Sequence, residues 1–163
     1  GAVNVGDDMG HKSGMLIAPA DLREIFIPWQ RRIIAAAQAR GKLGLFHCCG
    51  QVEAIMDDLI DTVRIDAKHS TQDVCEPMVR TWQRWGGRVA LLGGVDIDFV
   101  TRSHPAQIER YTRDILATCG GHSGFALGLG NWVADSIPLD NYLAVTAAAR
   151  SFEGPAGPRE TGA

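Results

Sequence analysis

Five short apolar runs, each followed by a longer amphipathic or polar-capped segment, constrain this chain more than any other feature. The runs are AVNV (2–5), LGLFH (43–47), VRIDA (63–67), RVALLGG (88–94) and GFALGLG (124–130). Each is too short for a buried helix and stops at glycine or a polar cluster, which is how buried strands read. The segments between them carry the other periodicity. Residues 20–40 have helical spacing ended by Gly41, and Pro28 inside the pattern predicts a kink or two consecutive helices. In residues 51–62, Val52, Ile55, Met56, Leu59 and Ile60 fall on one helical face. Residues 73–85 and 138–152 also read as helices. The segment 105–121 opens with Pro105 and closes on Gly120-Gly121, the asymmetry favoured at helix ends.

Strand–helix alternation repeated five times specifies an α/β fold with a parallel sheet. Two architectures accommodate it. A five-stranded doubly wound parallel sheet would be complete at 163 residues. A (β/α)8 TIM barrel takes about 250 residues, so here it would be a portion with five βα units. Spacing alone does not choose between them. The N-terminal GAVNVGDDMG enters a strand-like stretch with no lead-in and reads as the middle of a longer protein. At the other end, EGPAGPRETGA (153–163) is rich in Gly and Pro and reads as a disordered tail, leaving 1–152 as one domain.

Composition works by exclusion. The net charge is -3 and no block of like charge occurs, so there is no footprint for nucleic acid or for an anionic membrane. No apolar run approaches the roughly 18 residues of a membrane span. The 4 cysteines, two of them adjacent, do not form a disulfide framework. Reduced thiols and a cytoplasmic location are the expectation.

Polar residues collect where the strands end. Asp7 and Asp8 follow the first run, His47 to Cys49 the second, and Asp66, Lys68 and His69 the third. Asp96 and Asp98 follow the fourth, and Asn131 with Trp132 the fifth. In either fold the carboxyl ends of parallel strands form the ligand-binding face. His47 and Cys49, two apart, share a face of an extended chain and are favoured zinc-ligand types. The same residues also fit a strand end at which the cysteines pack as small hydrophobes, and spacing leaves both readings open. Elsewhere the signals are weaker. GGVDID lacks the GxGxxG spacing of a phosphate loop, Cys75 and Cys119 read as packing residues, and His104 and His122 have no partner at ligand spacing.

Four stretches, in order, resemble a known family: VGDDMG with GMLIAPADLREIFIPWQRRII, then LFHCCGQVEAIMDDLID, ALLGGVDID and GFALGLGNWVADSIPLDNYLAV. They resemble the C-terminal half of the uroporphyrinogen decarboxylase (URO-D) superfamily, which also contains the cobalamin-dependent methyltransferases. The resemblance runs from about residue 5 to 152 and implies the later strands of a (β/α)8 barrel. It leaves the catalytic residues unassigned, because the decarboxylase's catalytic aspartate and substrate-binding arginines belong to the first half. The strand-end clustering makes Asp7, Asp8, Asp96 and Asn131 the candidate substrate contacts. The resemblance also implies a zinc ion on His47 and Cys49, with Leu129 standing where the methyltransferases place a third cysteine ligand. Asp7, Asp8 or Asp96 would be the available substitute. Two chemistries follow from the resemblance: zinc-thiolate methyl transfer from a corrinoid, or decarboxylation of a tetrapyrrole. The corresponding partners are a corrinoid protein or a small-molecule substrate. A half-barrel leaves strand edges and an apolar interior open. The chain is therefore also read as an incomplete, non-catalytic module that associates as a homodimer or with a missing N-terminal half.

Overall fold

Four of the five apolar runs become parallel strands, and the fifth, 63–67, shares only Ala67 with its strand. The computed structural model describes residues 1–154, so most of the 153–163 tail lies outside the described residues. The strands are β1 (Ala2–Gly6), β4 (Leu43–His47), β5 (Ala67–His69), β6 (Ala90–Val95) and β7 (Phe125–Leu129). A small antiparallel hairpin, β2 (Gly10–His11) with β3 (Gly14–Met15), folds off the end of β1.

Strand order decides the architecture. Within the sheet it runs β1-β4-β5-β6-β7, which is the order of the chain. A doubly wound sheet reverses direction at a switch point, and this one does not. The doubly wound alternative is therefore corrected: the sheet is singly wound, an arc of a (β/α) barrel. Helices cover one face, where Phe46 and Leu91 are buried; by alternation His47 belongs to the other face.

Pro28 splits the first helical segment as its missing N–H requires. α1 (Pro19–Ile25) and α2 (Ile27–Gln38) meet at Phe26, with Pro28 in the first turn of α2. The expected helix over 51–62 is a 3-10 turn (Glu53–Ile55) running into a π-helical turn (Asp58–Val63). Arg64 ends that turn at φ 62, and the strand expected over 63–67 starts only at Ala67. The later start brings Lys68 and His69 into β5. On the far side, α3 (Met78–Trp85) begins five residues later than its apolar pattern, because Pro77 takes the cap and disfavours helix at Glu76.

A short helix α4 (Ile97–Arg102) follows β6, capped by the Asp96 carboxylate, which accepts from Phe99 N at 3.0 Å. α5 (Pro105–Cys119) and α6 (Leu139–Arg150) close the last two units. Asn141 enters this packing from α6, donating to Val100 O and Ser103 O at 2.7 and 2.9 Å.

Candidate metal centre

Register builds the centre. In parallel pairing Gly6 stands beside His47, and His47 beside His69, so three consecutive strands stop at one level. The residues just beyond those stops fall together. Asp7 N donates to His47 O at 3.0 Å, which carries the chain past β1 alongside β4. Asp8 then accepts from Cys49 N at 2.9 Å.

One donor atom each from Asp8, His47 and Cys49 lies within 4.8 Å of the other two. His47 Nε2 and Cys49 Sγ are 3.4 Å apart. Nitrogen and sulfur bound tetrahedrally to one zinc at about 2.0–2.3 Å would lie roughly 3.5 Å apart. The His47–Cys49 pair therefore fits zinc in element type and spacing, and the Asp8 carboxylate is a zinc-type donor within 4.8 Å of both. Asp8 is exposed while His47 and Cys49 are half-buried, so one side of the cluster faces solvent.

The cysteine is further braced from two other strand ends. Cys49 Sγ accepts from Asn131 Nδ2 at 3.2 Å and from Ser70 Oγ at 3.6 Å. Asn131 in turn accepts from Trp132 N at 2.8 Å, and the exposed Trp132 ring stands 6.5 Å from that of His47. Cys48 points the other way, into the core, where its sulfur accepts from Met9 N at 3.3 Å. Burial pushes the Cys48 thiol pKa up, away from metal-binding chemistry.

His47 meets a second histidine. Its Nδ1 is 2.7 Å from Nδ1 of His69, whose Nε2 is 3.1 Å from the carbonyl of Leu129. Burial lowers the pKa of His47; Asp8 opposes this and Lys68 adds to it. Burial also lowers that of His69, against the Leu129 carbonyl, with His47 and Lys68 lowering it further.

Residues 1–152 match the uroporphyrinogen decarboxylase (URO-D) family. The chain belongs to that family. Over 70 residues it is 36% identical to uroporphyrinogen decarboxylase of Coxiella burnetii, in strains Dugway 5J108-111 and RSA 493 alike. That match covers 43% of this chain and 19% of the relative. Among solved structures, a methyltransferase from Methanosarcina mazei superposes with a TM-score of 0.70 at 22% identity. It covers 91% of this chain and 41% of that one, so this chain spans less than half of the barrel protein whose fold it shares.

Within this URO-D arc the expected site residues divide. Asp8, His47, Cys49 and Asn131 come together. Asp7 is turned aside, its carboxylate accepting from Gln30 Nε2 of α2 at 2.7 Å. Both oxygens of Asp96 are engaged by backbone, Oδ1 by Phe99 N and Oδ2 by Asp73 N. Leu129 sends its side chain into the core and offers the site only its carbonyl. The sequence places His69 among the strand-end polar residues without giving it a site role, and it does not single out Ser70. The available signal is that His69, like His47, closes a polar-ended strand; a strand over 63–67 puts His69 beyond the strand end instead of level with His47.

Lys68 lies behind the centre, wholly buried beside Phe46 in the register. Among the described residues its ammonium reaches carbonyls, Ser70 O at 2.5 Å and Cys48 O at 3.5 Å, and no carboxylate. Burial pulls its pKa below the ordinary 10.5, against the pull of the neighbouring thiols. Between that lowered value and 10.5 the unfolded chain holds a proton the folded one has lost. Lys68 therefore costs stability most fully at low pH, and the cost shrinks as pH rises. Lys68→Met is expected to raise unfolding free energy by about 1–2 kcal/mol at pH 7, with a smaller gain at pH 10. Urea melts at the two pH values measure this; a variant less stable than wild type at pH 7 would show that the two carbonyl bonds outweigh the buried charge.

Proposed function

We propose that Asp8, His47 and Cys49 hold a zinc ion, and that this centre serves transfer of a methyl group from a corrinoid to a thiol. The observation that carries the reading is the meeting of three zinc-type donors from two adjacent strand ends, with an open side. Asp8 takes the ligand position that the resemblance assigned to a cysteine. Bound zinc would lower the pKa of a substrate thiol and so supply a thiolate at neutral pH.

The chain's own residues do the rest of the work at this level. Cys49 N holds the Asp8 carboxylate in place, and Asn131 and Ser70 donate to the Cys49 sulfur and fix its position. The exposed Trp132 ring walls one side of the open face and offers a flat apolar surface to an incoming partner. The partner is a corrinoid protein or a free small molecule. The arc works with further barrel strands, from the same polypeptide, a companion chain or a second copy. The edges of β1 and β7 and the exposed Leu139 and Leu143 of α6 are the surfaces such strands and helices would cover.

A second reading, decarboxylation of a tetrapyrrole at the same face without metal, draws on the name of the Coxiella relatives. Zinc separates the two. Purified chain supplied with zinc and then desalted is expected to retain close to one equivalent at pH 7.5 and to release it as pH falls and the ligands protonate. Metal analysis showing no retained zinc would remove the methyltransferase reading. Sedimentation of the same sample reports whether the chain associates; a lasting monomer would argue against the homodimer.

A further inference from the structure

We infer that His69 is a positioning residue that fixes which nitrogen of His47 is free to bind a ligand. The argument is one of hydrogen atoms. A carbonyl oxygen only accepts, so the contact between His69 Nε2 and Leu129 O places a hydrogen on that nitrogen. A neutral imidazole carries one ring hydrogen, so His69 Nδ1 is then a bare acceptor. The 2.7 Å contact between the two Nδ1 atoms holds one hydrogen, and it must belong to His47. His47 is left with Nε2 bare, and Nε2 is the atom that faces Cys49 Sγ at 3.4 Å.

The relay crosses three strands. His47 closes β4, His69 closes β5, and Leu129 closes β7, with β6 lying between the last two. The His69 ring passes over β6 at Gly93. A Cβ there would lie 3.0 Å from His69 Cδ2, 3.2 Å from Nε2 and 2.9 Å from Leu129 O. The missing side chain of Gly93 is thus the gap through which His69 reaches the last strand. The polarity of the relay is set at its far end, by an acceptor that cannot donate. A histidine ligand's other ring nitrogen commonly donates to a carboxylate, a carbonyl or water. Here a second histidine takes that place and borrows its acceptor character from the backbone.

The inference rests on the zinc reading only for what the bare nitrogen is for; the hydrogen placement stands in metal-free protein. The experiment uses the full chain, 15N-labelled and metal-free, with long-range proton–nitrogen correlation of its 5 histidines at pH 8. His47 is expected to carry its hydrogen on Nδ1, against the Nε2 preference of imidazole side chains in water. In His69→Leu the His47 signals are expected to move toward the Nε2-protonated form. In His69→Gln, whose amide oxygen can accept, they are expected to stay near wild type. Zinc alone, titrated by chelator competition, is expected to bind 10- to 100-fold more weakly to His69→Leu, with recovery in His69→Gln. A hydrogen on His47 Nε2 in the wild-type chain overturns the inference, and so does a His47 tautomer indifferent to His69→Leu. Failure to bind zinc with the Nδ1 hydrogen in place would sink the proposed function and leave this inference standing.

Discussion

Cys49→Ala is expected to weaken zinc binding by more than about a hundredfold, beyond the 10–100-fold range of changes behind a ligand. Its effect on stability is expected to stay within about 1 kcal/mol. The two halves of the expectation have separate causes. Cys49 is only half-buried, and its sulfur makes weak contacts to Asn131 and Ser70 at 3.2 and 3.6 Å, so little packing is lost. As a ligand it has no substitute, since the neighbouring Cys48 faces the core. Cys48→Ala should show the converse, a stability loss from a cavity with zinc binding retained. Asp8→Asn is expected to fall between: its amide oxygen can still accept from Cys49 N, so the brace survives while the ligand charge is lost. Chelator competition and urea melts on the three variants measure both quantities. Unchanged zinc affinity in Cys49→Ala would mean that any bound metal sits elsewhere.

The sequence makes the alternation of strands and helices legible because it is written in local periodicity, and the Pro28 break because a missing N–H acts locally. Where the pattern misleads, longer-range geometry is responsible. Residues 51–62 have helical spacing, but spacing does not separate an α turn from the 3-10 and π turns that form. The π turn and the left-handed Arg64 then displace β5, and that displacement sets His69 level with His47, a register the spacing does not show. The choice between doubly wound sheet and barrel arc was not legible at all in spacing, since both alternate strand with helix; only strand order distinguishes them.

At the centre, Asp8, His47, Cys49 and Asn131 are legible by their side chains, whereas Leu129, which acts through its backbone, is not. Asp7 and Asp8 look equivalent in sequence. Neighbours in extended chain point opposite ways, so one meets Gln30 on the helix side and the other meets Cys49. By its side chain Leu129 offers no metal ligand. The structure employs its carbonyl, a group every residue carries and no sequence comparison can weigh. On the proposed zinc reading the third donor is Asp8, just beyond β1 at the opposite edge of the arc.

Gly50→Ala is expected to cost about 2–4 kcal/mol and to weaken zinc binding with it, because the fold and the centre share this point of contact. Gly50 has φ +76, where an alanine costs roughly 1–2 kcal/mol by itself. Its Cβ would also lie 2.5 Å from Gly10 O and from His11 N, in the backbone of the β2–β3 hairpin. Gly10 is equally tight, its own Cβ falling 2.5 Å from Gln51 O. Two backbones thus touch where the turn after Cys49 passes the hairpin after Asp8, and Gln51 N donating to His11 O at 2.9 Å clamps them. Forcing them apart separates the segments that carry two of the three donors. Gly41→Ala isolates the other contribution: φ is +66, yet nothing lies within 4 Å of its Cβ, so only the conformational cost applies. Urea melts should show Gly50→Ala losing at least twice as much as Gly41→Ala, and zinc titration should separate them further, with Gly41→Ala binding as wild type. Equal losses in the two variants would mean that the close approach of hairpin and turn does not hold the centre together.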